Sequence, residues 1–141
     1  MIAIEHYTKH LEAIPLPDNR SETVAYAFAH SVLARFGSCA EVVTDNGAEF
    51  EGAFHSLMAA CLIDHRYVTA HHPQANGLAE RAVQSVKRAL RKMVDGRNST
   101  ISQHARHWDE QLPWILLGYR ASTQESTKFS PMQLLYAREP V

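Results

Sequence analysis

Apolar positions along this chain alternate between short β-like runs and longer helical stripes, with Gly, Pro and Asn marking the joints. Met1–Tyr7 is apolar and partly β-branched, which predicts a strand, and Lys9–Pro15 follows at once as a second. The Tyr7-Thr8-Lys9 junction is short enough for a tight antiparallel hairpin. Pro15, Pro17, Asp18 and Asn19 mark a loop. Ser21 is then suited to cap a helix, with Glu22 in a first turn where the helix dipole favours an anion. Val24, Phe28, Val32 and Phe36 recur on one helical face, and Gly37 ends it.

Further along, Glu41-Val42-Val43-Thr44 reads as a short buried strand running into the turn Asp45-Asn46-Gly47. Phe54, Leu57, Met58 and Cys61 have helical spacing and predict a helix over Gly52–Leu62; Asp64–Thr69 reads as another strand. Pro73-Gln74-Ala75-Asn76-Gly77 reads as a flexible loop, and Leu78 to about Val94 as a long helix. Its core stripe is Ala79, Ala82, Val83, Val86, Leu90 and Met93. Gly96–Ser102 reads as a polar linker. Trp108–Tyr119 predicts an apolar helix whose start Pro113 kinks or delays. Ser130 caps a last short helix with Pro131 at its first position. Strands early and helices late predict an α/β fold, a mixed sheet flanked by helices, with no internal boundary across 1–141.

A length of 141 residues with 45% hydrophobic and 21% charged residues fits one ordinary domain and argues against disorder. No apolar run is long enough to cross a bilayer, and the opening residues do not resemble a secretory signal, so no membrane partner is expected. Cys39 and Cys61 are too few for a disulfide framework and read as buried free thiols. The net charge of −1 argues weakly against nucleic-acid binding through the overall field. That average hides a concentration: Arg81, Lys87, Arg88, Arg91, Lys92 and Arg97 face a single acid, Asp95, in their segment. A solvated helix face explains such a run unless something else supports it.

Two carboxylates supply the chemistry. Asp45 ends a strand, where open α/β sheets place their sites, and Glu80 opens the basic helix beside a Gly-containing loop. Two such acids, if they converge, could hold Mg²⁺ (or Mn²⁺) through hard oxygen ligands while the ion keeps waters and phosphate oxygens. Each also has a plainer reading. Asp45 suits a turn-forming Asp-Asn-Gly, and Glu80 stabilises a helix dipole. His104 and His107 have helical i, i+3 spacing but no second ligand pair to complete a zinc site, and His71-His72 belongs to the loop.

Taken together, Thr44-Asp45-Asn46-Gly47-Ala48-Glu49-Phe50 and His72-Pro73-Gln74-Ala75-Asn76-Gly77-Leu78-Ala79-Glu80-Arg81 resemble the integrase catalytic cores of retroviruses and long-terminal-repeat retrotransposons, closest to the Ty3/gypsy type. Thr8-Lys9, Glu12-Ala13-Ile14-Pro15-Leu16 and the segment Ser130 to Pro140 are similar to that family too. The resemblance implies a ribonuclease H-like fold and metal-dependent polynucleotidyl transfer in DNA integration and recombination. It makes Asp45 and Glu80 the second and third acids of a catalytic triad. It also sets Gln84 and Lys87 against the DNA end, and Arg88 and Arg91 alongside on phosphates. Partners would be element ends, target DNA and further copies of the chain, in the nucleus of a eukaryotic host.

On the same resemblance the first strand and its catalytic Asp have no counterpart here, and neither do the zinc module and basic domain that flank such cores. In the two-metal arrangement that Asp bridges ions about 3.5–4 Å apart. Glu5 is the nearby acid on the opening strand, and reads better as an ordinary strand residue than as a substitute ligand. Three readings follow: an integrase-type transferase acting in an intact parent, an inactive nucleic-acid-binding or interaction remnant, and, on fold alone, a general ribonuclease H.

Overall fold

A computed structural model describes residues 1–68, 73–95 and 107–140. The chain sorts into two compact units, the first made of Met1 with Ile14–Gly77 and the second of Ile2–Ala13 with Leu78–Val141. Each has its own apolar cluster. The Gly96–Ser102 segment, Arg97, His71, His72 and His104 lie outside the described residues.

In the first unit, α1 (Ser21–Phe28) runs through a π-helical turn at Ala29–Leu33 into the short α2 (Ala34–Phe36). Gly37 ends the run at φ 82, a conformation that costs a side-chain-bearing residue more than glycine. Val24 and Phe28 are buried as the spacing predicts, but Phe36 is 40% exposed. The π turn is the cause: a wider turn slips the helical face, so Leu33 joins Val32 against the core instead.

The expectation that Ser21 caps this helix is corrected. Arg20 occupies the cap position, and Ser21 is already helical. Its hydroxyl instead donates to the Glu51 carbonyl and accepts from the Phe54 N–H at 2.9 Å, tying the start of α1 to the start of α3 (Ala53–Ala60). Phe54 and Met58 of α3 are fully enclosed, and the Phe28 and Phe50 rings meet Phe54 edge-on at 5.4 and 5.3 Å. Burying one such ring contributes about 1.5–3 kcal/mol.

Strand β3 (Glu41–Thr44) pairs in parallel with β4 (Asp64–Tyr67), Thr44 opposite Tyr67. Only Thr44 of β3 is buried and Val43 is 44% exposed, so the strand is where the pattern put it but is not buried. Cys39 is exposed and Cys61 half-buried, both as free thiols, which corrects the expectation that both are buried.

In the second unit, β1 (Ile2–Ile4) and β2 (Leu11–Ala13) form the expected antiparallel hairpin, but both strands are shorter and the turn wider than the sequence suggested. The loop is closed by Glu5 N–H to His10 carbonyl (2.8 Å) and Lys9 N–H to Glu5 carbonyl (3.0 Å), with Lys9 in the left-handed region. The Glu5 carboxylate accepts the Tyr7 N–H, the Thr8 N–H and the Thr8 hydroxyl at 2.8, 2.6 and 2.5 Å. Partial burial pushes its pKa up. The Thr8 hydroxyl, the two N–H groups and the Lys9 charge outweigh that and hold it below the ordinary value. Glu5 is thus committed to the turn.

Helix α4 runs Pro73–Asp95, so the predicted loop Pro73-Gln74-Ala75-Asn76-Gly77 is corrected to helix. Proline at a helix start loses no hydrogen bond and brings the right φ, and Gly77 costs only about 1 kcal/mol inside it. In the second unit Ala82 and Val86 are buried with Leu90 packed beside them, whereas Ala79 faces solvent. A 3-10 turn at Asp109–Gln111 precedes α5 (Leu112–Ala121), so Pro113 delays the start of this helix and does not kink it. Leu112, Ile115 and Leu116 are buried. Ser130 caps α6 (Pro131–Tyr136) with Pro131 at its first position as predicted, and the Gln133 side chain, not read from the sequence, completes a reciprocal cap. Antiparallel β1–β2 and parallel β3–β4 supply both strand senses of a mixed sheet; among the described residues each pair is its own ladder. No helix of the described residues is long and apolar enough to cross a membrane.

Candidate functional site

Asp45 lies in the first unit, one residue past the end of β3, with its side chain exposed. One of its oxygens accepts the Gly47 N–H at 3.3 Å, the turn geometry expected of Asp-Asn-Gly, and the other is open among the described residues. At Gly47 a Cβ would sit 2.6 Å from a Glu49 oxygen, so glycine lets that carboxylate fold back over the turn. Thr44, directly before Asp45, is buried, and its hydroxyl meets His65 Nε2 at 2.9 Å. The root of the Asp45 turn is thereby fixed to β4 by a side-chain bond as well as by the ladder.

Sequence reasoning missed the histidines here. His65 Nδ1 lies 3.2 Å from His55 Nδ1, and the His65 ring is set among Phe54 and Tyr67 with centroids at 5.4 and 4.6 Å. Two ring nitrogens at that distance share a single proton, so the pair is satisfied only while at least one ring is neutral. The available signal was His65 in a strand and His55 in a helix facing it, but two lone histidines ten residues apart carry no spacing rule.

Burial, then the neighbouring His55 charge, lowers the His65 pKa below its ordinary 6.5. The folded state therefore binds this proton less readily than the unfolded state. The stability tied to neutral His65 is fully present above pH about 6.5 and is lost progressively as pH falls below it. The denaturation midpoint should drop between pH 7.5 and 5.5, and His65→Gln should flatten that part of the profile. An unchanged slope in the variant would assign the effect elsewhere.

Glu80 lies in the second unit on α4, exposed, with no hydrogen bond among the described residues. Gln84, Lys87, Arg88 and Arg91 are exposed on the same helix. At 3.6 residues per turn these five positions fall within roughly a third of the helix circumference, opposite Ala82 and Val86. One helix thus gathers every candidate except Asp45 into a single stripe: a carboxylate at one end, an amide, then three cations. Asp45 and Glu80 belong to different units. Among the described residues no group of three or more His, Cys, Asp or Glu is placed to hold a metal ion. His107 pairs with Glu110 at 3.1 Å.

No protein-family model matches the chain. Its sequence is 27% identical over 93% of its length to the retrovirus-related Pol polyprotein from transposon 412 of Drosophila melanogaster. It is 28% identical over 99% to the Pol polyprotein of Radiation murine leukemia virus (strain Kaplan). The chain spans only 10% and 23% of those two proteins. Among solved structures it is similar to a chain of the simian T-cell lymphotropic virus intasome (TM-score 0.77, 19% identity), covering 94% of this chain and 46% of that one. It is also similar to the HTLV-2 integrase catalytic core solved with magnesium in a trimeric form (TM-score 0.71, 18% identity), covering 94% and 80%. The fold is therefore that of the integrase catalytic cores, ribonuclease H-like and α/β. Sequence and fold together support an integrase core of retroelement origin.

Proposed function

We propose that this chain is the strand-transfer core of a retroelement integrase, with Asp45 and Glu80 as metal-binding carboxylates and the α4 stripe as its DNA contact. The observation that carries the reading is the stripe itself: Glu80, Gln84, Lys87, Arg88 and Arg91 all exposed on one side of one helix. A chain of net charge −1 that concentrates cations this way favours a polyanion at that face over a general attraction.

The donor set suits a hard cation. Among the described residues Asp45 keeps an open carboxylate oxygen beyond its turn, and Glu80 keeps both. Magnesium held by these acids would activate the attacking oxygen and neutralise charge on the scissile phosphate. The protein's part is to position. The Asp45 turn is fixed through Thr44 and His65 to β4, Glu80 stands on a helix locked by Ala82 and Val86, and Lys87, Arg88 and Arg91 hold successive phosphates without reading bases. Self-association belongs to the same proposal and is measured by sedimentation.

A non-catalytic nucleic-acid-binding role is the second reading, favoured by the fact that the cationic part of the stripe needs neither carboxylate. Salt titration of duplex binding serves both readings. Replacing Lys87, Arg88 and Arg91 together with Ala should weaken binding more than tenfold at 50 mM salt. It should also lower the slope of log affinity against log salt by about 2.7, near 0.9 for each phosphate no longer neutralised. Unaltered affinity and slope would exclude this face as the DNA contact.

A further inference from the structure

Beside the stripe, the second unit contains a cavity of about 360 Å³ lined by Lys9, Arg81, Ser85, Tyr119, Gln124 and Glu125, among others. Four separate parts of the chain converge on it: the hairpin loop, α4, α5 and the segment before α6. Leu78 and Ala82 form an apolar wall. The remaining lining is rich in donors. Lys9 uses one ammonium N–H on the His6 carbonyl and, among the described residues, keeps two. The Arg81 guanidinium has no hydrogen bond or ion pair among the described residues. Burial raises the Tyr119 pKa, so its hydroxyl keeps its proton throughout the neutral range. Against two cations stands one acid, Glu125.

Position along α4 ties this cavity to the stripe. Arg81 and Ser85 each follow a stripe residue, Glu80 and Gln84, and so lie on the adjoining strip of helix surface. We infer that the cavity is a phosphate-binding pocket that takes one backbone phosphate of a nucleic-acid strand, outside the row held by Lys87, Arg88 and Arg91. The inference rests on the DNA-binding reading above. Phosphate is favoured over a carboxylate side chain because the lining donors come from four parts of the chain: a fork at Arg81, an ammonium at Lys9, a hydroxyl at Tyr119 and the Gln124 amide, which also donates to the Ser122 carbonyl at 3.3 Å. A tetrahedral anion with oxygens on every side can use them together, whereas a planar carboxylate matches the Arg81 fork alone.

Lys9→Gln and Arg81→Gln remove the charge while leaving a polar side chain at each position, and thermal melting of each verifies folding. With duplex DNA as probe, the double variant should bind about tenfold more weakly at 50 mM salt, with the salt slope lower by about 0.9. Inorganic phosphate at millimolar concentration should move the Tyr119 ring resonances of the wild-type chain and leave those of the double variant still. DNA binding by wild type with the same affinity and slope in the folded double variant would overturn the pocket while sparing the stripe. Failure of the wild-type chain to bind DNA at all would overturn the reading on which the pocket rests. Binding of an acidic peptide at this site, with no response to phosphate or DNA, would overturn the assignment of ligand.

Discussion

Glu80→Gln is expected to reduce magnesium-dependent strand transfer by on the order of a thousandfold, with duplex affinity unchanged or slightly raised. The two halves of that result have separate causes. A metal-bound carboxylate oxygen contributes several kcal/mol to the transition state, and about 1.4 kcal/mol corresponds to each factor of ten in rate. Glutamine keeps the size of the side chain but offers a neutral oxygen, a far weaker ligand for a hard dication. Glu80 stands at the end of a row of cations, so removing its negative charge lowers the repulsion felt by a DNA phosphate. Because the side chain is exposed and makes no hydrogen bond among the described residues, folding should be untouched, and a melting curve on the same sample verifies this. Asp45→Asn should behave alike in activity. The measurement uses a labelled donor end and a target duplex, with the protein in a form that carries out strand transfer. Full activity in either variant removes that acid from the proposal. A fall in activity matched by an equal fall in affinity makes it a binding residue instead.

How far the sequence reached depended on the range of the forces involved. The α3 stripe, the Ser130 cap, the stop at Gly37 and the turn at Asp45 were legible because each is set by neighbours within a few residues. So was the α4 stripe, which needs only helical periodicity. The start of α4 was misjudged because Asn76 and Gly77 argue for a loop on propensity, and a proline at the helix start outweighed them. The exposure of Phe36 could not be read, since a π turn leaves no local mark and yet displaces every later residue on the face. Ser21 was recognised as a capping residue, but its partner lies across 33 residues in another helix. For the candidate site, Asp45 and Glu80 were found through local motifs. The Thr44–His65–His55 bonds that hold the Asp45 turn come from tertiary packing and had no such signature.

A buried ion pair in the second unit was likewise hidden by distance. Glu12 sits in β2 as a lone acid between Leu11 and Ala13, all three buried, where strand alternation predicts one side chain facing out. The structure gives it a partner. Arg120 of α5 places Nη2 at 2.7 Å from Glu12 Oε2, and the same guanidinium donates to the Leu11 carbonyl through Nε (2.9 Å) and Nη2 (2.8 Å). His10 Nε2 meets the other Glu12 oxygen at 3.2 Å. Side-chain exposures of 9% and 17% put this pair well inside the range where one charge left alone is costly. Arg120→Met should therefore destabilise the protein by about 3–5 kcal/mol, a large share of the roughly 5–15 kcal/mol typical of a domain. For a chain of this size that is a fall in melting temperature of roughly 10 °C. Glu12→Gln should cost less than Arg120→Met, since the glutamine oxygen can still accept from the guanidinium and the Leu11 carbonyl keeps its donors. The double variant Glu12→Met with Arg120→Met should lose less than the sum of the single changes, because no ion is then stranded, although the Leu11 carbonyl goes unpaired. Chemical denaturation of wild type, Glu12→Met, Arg120→Met and the double variant closes the cycle. Strict additivity would mean that the pair contributes nothing beyond its two separate side chains, leaving the Arg120 bonds to the Leu11 carbonyl and apolar packing to hold the hairpin to α5.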